Sequence, residues 1–267
     1  MPIHPTAIID PRADLHPIVE VGPYTIIGPH VRVDEGTRIG HHVTIEGPTS
    51  IGRDNIIHHY AVLGTESQDM KYRGEETFLD IGDRNIIREF VTINRGTEKG
   101  SYTRIGSDNR LLAYVHVAHN CTVGNRVVMS NVASLAGHVV VHDDAILGGL
   151  VAVHQFCRLG AHCLVGAGAK VVKDIPPCCM ADGVPARLAG INTIGLRRRG
   201  WGSHEIRAIR RLYSRLFRRE QNLAEALELV LAEEPSSPEE RLFLDFIRAS
   251  RRGIARTRRI DMRRQER

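Results

Sequence analysis

Every sixth residue from Ile3 is aliphatic for eleven steps: Ile3, Ile9, Leu15, Val21, Ile27, Val33, Ile39, Ile45, Ile51, Ile57 and Leu63. The series resumes in phase at Ile81, Ile87 and Ile93, and again from Ile105 to Val171. Of the 29 slots between positions 3 and 171, only 69, 75 and 99 are not apolar. A helix repeats every 3.6 residues and a strand every 2, so neither produces this pattern. A second column, four residues after each aliphatic slot, carries small side chains such as Ala7, Ala13, Val19 and Thr25. Self-similarity at a short fixed period marks a solenoid, in which each repeat buries its apolar side against the next. The 5% aromatic content agrees with a core made of aliphatic side chains.

The hexad pattern resembles that of the hexapeptide-repeat transferases. The resemblance implies a mainly β fold, a left-handed parallel β-helix in which three hexads form one triangular coil of 18 residues. Handedness rests on the resemblance alone, because parallel crossovers are otherwise right-handed. About nine coils at ~4.8 Å spacing give a prism on the order of 40 Å long. The β-helix is expected over residues 1–190, interrupted by polar excursions at 64–80 and 96–104. Loops of this kind on a rigid scaffold tend to carry function.

Beyond Pro185 helical signals replace the hexads, and residues 191–267 are expected to form a small C-terminal α-helical domain. Ser203 is placed to cap a helix with Glu205 in its first turn. Ile206, Ile209, Leu212, Tyr213, Leu216 and Phe217 form its apolar stripe, opposite Arg207, Arg211, Arg215 and Arg218. Residues 222–234 and 238–252 read as two further helices, the second opened by Pro238. The tail RTRRIDMRRQER is polar and basic and is expected to fray.

Five cysteines without a CxxC pair, no basic-apolar leader in MPIHPTAIID and no long apolar run point to a cytoplasmic protein without a membrane span. Cys121, Cys157 and Cys163 occupy small inward slots and read as core filler. Charge is uneven. Residues 197–267 hold 19 Arg and 11 acidic residues, a net of +8, against −3 for residues 1–196. A basic end suits an anionic partner. Nucleic acid fits poorly, because stacking aromatics are scarce and the prism is not basic.

Thirteen of the fourteen histidines lie among the repeats, none in an inward slot. A solvated face accounts for His41, His42, His58 and His59. An 18-residue coil, however, stacks His119, Gly137 and Gln155 in one column, with His116, His138 and His154 beside it. Two chemistries compete for this patch. A zinc site of the γ-class carbonic anhydrase kind needs ligands converging within ~2.1 Å of one point, and the column offers no thiolate or carboxylate. General-base catalysis needs a neutral imidazole and a donor for the developing oxyanion, which the bare backbone N–H of Gly137 can supply.

The ordered motifs SQDMKYRGE (67–75), IGDRN (81–85), TINRGT (92–97), IGSDN (105–109), HVAHNCTVGN (116–125), LAGHV (135–139), VHQFCRLGAH (153–162) and GLRRRGW (195–201) cover nearly the whole chain. Together they resemble the UDP-N-acetylglucosamine 3-O-acyltransferases that begin lipid A synthesis. The resemblance implies transfer of a 3-hydroxyacyl chain from acyl carrier protein to the sugar 3-position, without metal or other cofactor. It makes His119 the general base and Gly137 the oxyanion donor. His116, His138, His154 and Gln155 would position substrate. Asp69 and Lys71 would touch the sugar nucleotide from a neighbouring subunit of a homotrimer. Asn192, Arg198 and Arg199 would reach nucleotide and phosphates, and the acidic carrier would meet the basic C-terminal region.

Two residues depart from the family pattern. Asn120 stands where many relatives have Asp after the histidine, so His119 is expected to keep its orientation and lose basicity. Ala167 replaces a frequent glycine near the end of the acyl groove, which suits either a slightly shorter chain or simple packing. Two alternatives stay open: the related N-acyltransferase, which has an extra domain before its repeats whereas this clock starts at Ile3, and a non-catalytic β-helical scaffold.

Overall fold

A computed structural model describes residues 3–217, 223–232, 235 and 237–257. Short strands, mostly of two residues, form three parallel sheets that the chain visits in strict rotation. Sheet I begins with Ile8–Ile9, sheet II with Asp14–Leu15 and sheet III with Glu20–Val21. Regular coils pair at an offset of 18 residues, as in Ile8 with Ile26 and Val117 with Leu135. The aliphatic slots point inward: Ile27, Ile45, Leu63, Ile93, Val117 and Leu135 are buried one above another. Where the small slot is Asn55, Asn85 or Asn109, each side-chain oxygen accepts a backbone N–H from the following coil at 2.7–2.9 Å. The backbone N–H groups of those turns are thereby satisfied.

The three prism edges differ in chemistry. Along the III/I edge rings stack, Tyr60 on Phe90 at 5.1 Å and Phe90 on Tyr114 at 4.8 Å. His41 and His59 stack there at 3.7 Å, and His42 lies against Tyr24 at 5.0 Å, so these histidines belong to a ring ladder and not to a merely solvated face. The II/III edge carries fork-to-carboxylate pairs, Arg84 with Asp108 and Arg126 with Asp144. The I/II edge carries both excursions and the histidine patch.

The strands reclaim part of each excursion expected from sequence. Val62–Thr65 and Phe78–Ile81 flank the first, leaving 66–77 outside the sheets, and Asn94 and Tyr102 bound the second. The loop ends stay paired because neighbouring coils offer ladder partners, Leu79 to Thr49 and Thr103 to Leu79.

Beyond the regular coils a closing hairpin precedes the helices. Cys179–Asp182 extends sheet III, and Arg187–Ile191 folds back antiparallel on it, closing that end of the prism. Helices follow: α1 (Thr193–Arg198), α2 (Ser203–Phe217), α3 (Leu223–Leu231) and α4 (Pro238–Arg248). Ser203, expected as a cap, is instead the first helical residue, and Gly202 supplies the first acceptor to Ile206 N–H. Ser237 caps α4, accepting from Glu240 N–H, with Pro238 in its first turn. The expected helical stripe of α2 is buried at Ile206, Ile209, Leu212, Tyr213 and Leu216. The chain then returns to the prism through bridges from Asp174 to Ile254 and from Leu188 to Thr257. Arg218 and most of the basic tail (258–267) lie outside the described residues. All five cysteines are free and buried.

Candidate active site

Sheet I sets the site. Its strands Val62–Thr65, Thr92–Asn94, His116–Val117, Ser134–Leu135 and Ala152–Val153 are consecutive neighbours. At the I/II edge just beyond them stand, coil after coil, the first excursion, the second excursion, His119–Asn120, Gly137–His138 and Gln155–Phe156. The backbone binds these turns to one another: His138 N–H donates to His119 C=O at 3.1 Å, and Phe156 N–H to Gly137 C=O at 3.2 Å. Residues far apart in sequence thus share one wall.

His119 is 8% exposed. Gly137 runs directly against its ring; a Cβ on Gly137 would lie 2.5 Å from Nε2. Only glycine allows that approach. The coil ladder leaves the Gly137 N–H without an acceptor among the described residues. On the other side, His119 Nδ1 lies 2.9 Å from Asn120 Oδ1. That oxygen also accepts the Thr97 backbone N–H at 3.1 Å, which can only donate. Nδ1 therefore carries the ring proton of neutral His119, and Nε2 presents its lone pair to the wall.

Asp69 comes from the same chain. Its Oδ2 stands 3.8 Å from His119 Nε2, too far for a hydrogen bond, so the first excursion folds over its own edge. Within one chain Asp69 already stands beside His119, whereas the sequence reading brought it to the sugar nucleotide from a neighbouring subunit. Asp69 is held below the ordinary carboxylate range, chiefly by the Lys71 N–H donating to Oδ1 at 2.9 Å, with His119 adding to the effect. Lys71 follows on the exposed tip. The two excursions are pinned together by Ser67 Oγ and Thr97 Oγ1 at 2.6 Å, both buried.

His138 meets His119 edge to face at 5.2 Å and stacks on Phe156 at 4.7 Å. Burial lowers its pKa, and that of His116, whose Nδ1 pairs with Thr92 Oγ1 at 2.7 Å. His154 and Gln155 are exposed one coil on, and Arg252 of the returning C-terminal segment donates to His154 Nδ1 at 3.0 Å. Among the described residues no three His, Cys, Asp or Glu side chains converge as metal ligands.

Four expected contributors are not brought to this edge within one chain. Asn192 is buried as the N-cap of α1, its Oδ1 accepting from Gly195 N–H and its Nδ2 donating to His162 C=O. With Arg198 and Arg199 it lines a cavity of about 700 Å³ over sheet III, floored by Ile146, Leu164 and Met180. Arg199 pairs with Asp144. Ala167 sits exposed at the III/I edge. Sequence reasoning passed over Thr92, Thr97 and Glu98; the signal available was that the second excursion leaves one coil before His119.

A neutral imidazole with its Nε2 lone pair beside a bare backbone N–H, on a β-helix, is an arrangement suited to acyl transfer. Residues 174–255 match the model of the family described as Udp N-acetylglucosamine O-acyltransferase, domain 2. An acyl-[acyl-carrier-protein]--UDP-N-acetylglucosamine O-acyltransferase of Janthinobacterium sp. (strain Marseille) is 52% identical over 95% of this chain and 99% of its own length. One of Stenotrophomonas maltophilia (strain R551-3) is 49% identical over 95% and 97%. The solved structure of LpxA from Acinetobacter baumannii superposes with a TM-score of 0.92 at 41% identity, covering 96% of this chain and 100% of that one. The chain belongs to the acyl-[acyl-carrier-protein]--UDP-N-acetylglucosamine O-acyltransferase family. Its fold is the left-handed parallel β-helix with a C-terminal helical region.

Proposed function

We propose that this protein transfers a 3-hydroxyacyl chain from acyl carrier protein to the 3-hydroxyl of UDP-N-acetylglucosamine, opening lipid A biosynthesis, with His119 as the base. The observation that carries the residue assignment is the contact between the His119 ring and Gly137. Nε2 takes the proton of the sugar 3-hydroxyl as its oxygen attacks the thioester carbonyl. The tetrahedral oxyanion accepts the Gly137 N–H, a donor that needs no reorganisation. Collapse breaks the C–S bond, and the imidazolium returns its proton to the departing thiolate. Asp69, held ionised, receives a donor group of the sugar nucleotide, with Lys71 toward its phosphates. His116, His138, His154 and Gln155 shape the rest of the wall.

The reading includes a homotrimer. Arg198, Arg199 and Ala167 face away from His119 within one chain, so a neighbouring copy brings them to the nucleotide and the acyl groove. Asn192 orders the α1 turn that carries the arginines. The exposed column Tyr24, Tyr60, Phe90, Tyr114, Val132 and Leu150 gives such copies an apolar contact. No described helix is long and apolar enough to cross a membrane, and we place the enzyme in the cytoplasm, where acyl carrier protein resides. The carrier's acidic surface docks on exposed arginines of the helical region, Arg207 and Arg211 among them.

The test is transfer to UDP-N-acetylglucosamine from a ladder of 3-hydroxyacyl carriers. His119→Ala is expected to lose about 10²–10⁴ of kcat; full activity of that variant refutes the assignment. Light scattering should give three times 29.7 kDa.

A further inference from the structure

Asn120 stands between His119 and a carboxylate: its Oδ1 meets His119 Nδ1 at 2.9 Å, and its Nδ2 faces Glu98. Asn120 Nδ2 donates to Glu98 Oε2 at 3.0 Å. The orientation of the amide is fixed by its partners. Oδ1 faces the Thr97 N–H and His119 Nδ1, so Nδ2 must face the carboxylate, which only accepts. A flipped amide would oppose two donors with a donor and a carboxylate with a carbonyl. Thr103 Oγ1 accepts the Asn120 N–H at 2.9 Å, holding the backbone of this turn at φ 59°. Glu98 is exposed and tethered through its own carbonyl to Ser101 N–H at 2.8 Å.

We infer that Glu98, acting through the amide of Asn120, is the positioning residue that supplies the negative charge behind His119. A carboxylate hydrogen-bonded to Nδ2 polarises the amide and makes Oδ1 a stronger acceptor for the imidazole N–H. That bond strengthens when Nε2 takes the substrate proton, so its contribution appears in the transition state more than in the ground state. The second excursion, which the sequence marked as a loop of functional kind without naming a residue on it, thereby becomes part of the catalytic apparatus. The inference rests on the proposed role of His119 as base.

A charge-swap cycle tests it in the full-length enzyme, with His119→Ala alongside. Glu98→Gln keeps an acceptor for Asn120 and removes the charge. It should lower kcat about tenfold, the scale of one charge-assisted hydrogen bond, with KM and thermal midpoint close to those of the parent. Asn120→Asp alone should also lose activity, because the introduced carboxylate would stand against that of Glu98. The double variant Asn120→Asp/Glu98→Gln should recover most of it, so Glu98→Gln is harmful beside Asn and beneficial beside Asp. A merely structural glutamate cannot reverse sign in this way. An unchanged kcat for Glu98→Gln, or the same effect in both backgrounds, overturns the inference. If His119→Ala keeps activity, the base assignment fails instead.

Discussion

The imidazole of His119 and the α-carbon of Gly137 are in contact across successive coils, so closely that no side chain fits at position 137. Gly137→Ala should therefore push the ring off its line while leaving the ladder intact. A displacement near 1 Å costs about a hundredfold in rate. The expected result is a hundredfold fall in kcat with little change in thermal midpoint; steady-state kinetics and calorimetry check both.

Acidification should loosen the fold before it protonates most carboxylates. Burial lowers the pKa of His116, His138, His142 and His162 from the ordinary 6.5. Unfolded chains then bind more protons than folded ones below pH 6.5, so stability falls as pH drops through that value and levels off below the depressed folded values. The lowered carboxylates, Asp69 and Asp108 among them, add their own loss at lower pH. The thermal midpoint should decline between pH 7 and 5. His142→Gln should flatten part of that slope, since His142 packs against Phe246 of α4 at 5.7 Å beside Arg158.

Leu111 is wholly buried in sheet III of the prism, on the strand just before His116–Val117. Leu111→Ala should cost about 2–5 kcal/mol through lost burial and a residual cavity. Denaturant unfolding measures the cost, and KM should stay within twofold because Leu111 points into the core and none of the wall residues is changed.

Thiol reagents should find nothing to attack in the native protein. Burial pushes the Cys121 thiol up to about 12 and Cys157 to about 11, and Cys163, Cys178 and Cys179 are also raised. Thiolate is the reactive form. Mass spectrometry after maleimide treatment should show no adducts on the folded chain and five after denaturation.

The hexad period made the prism readable because the aliphatic slots face one axis, and adding 18 to His119 located Gly137. The same arithmetic finds the ring ladder only if it is carried through both excursions, from Tyr24 to Tyr60 and on to Phe90 and Tyr114. The fold of the excursions themselves was not legible. Asp69 reaches His119, and Glu98 reaches Asn120, through loop geometry that no repeat dictates, pinned by Ser67 and Thr97. The strand Arg187–Ile191 was missed because its antiparallel pairing is set by the last coil and not by its own pattern. The capping of α1 by Asn192 was not legible either, because it depends on where the chain leaves the last strand.

The returning strand Arg187–Ile191 and the helices finish one end of the prism, while the other stops at the short rungs Ile8–Ile9, Asp14–Leu15 and Glu20–Val21. Filament growth by strand addition requires a donor face and an acceptor face on every molecule. Here the acceptor is plugged, so endless head-to-tail polymerisation has no register in which to propagate, despite a body made almost wholly of open parallel ladders.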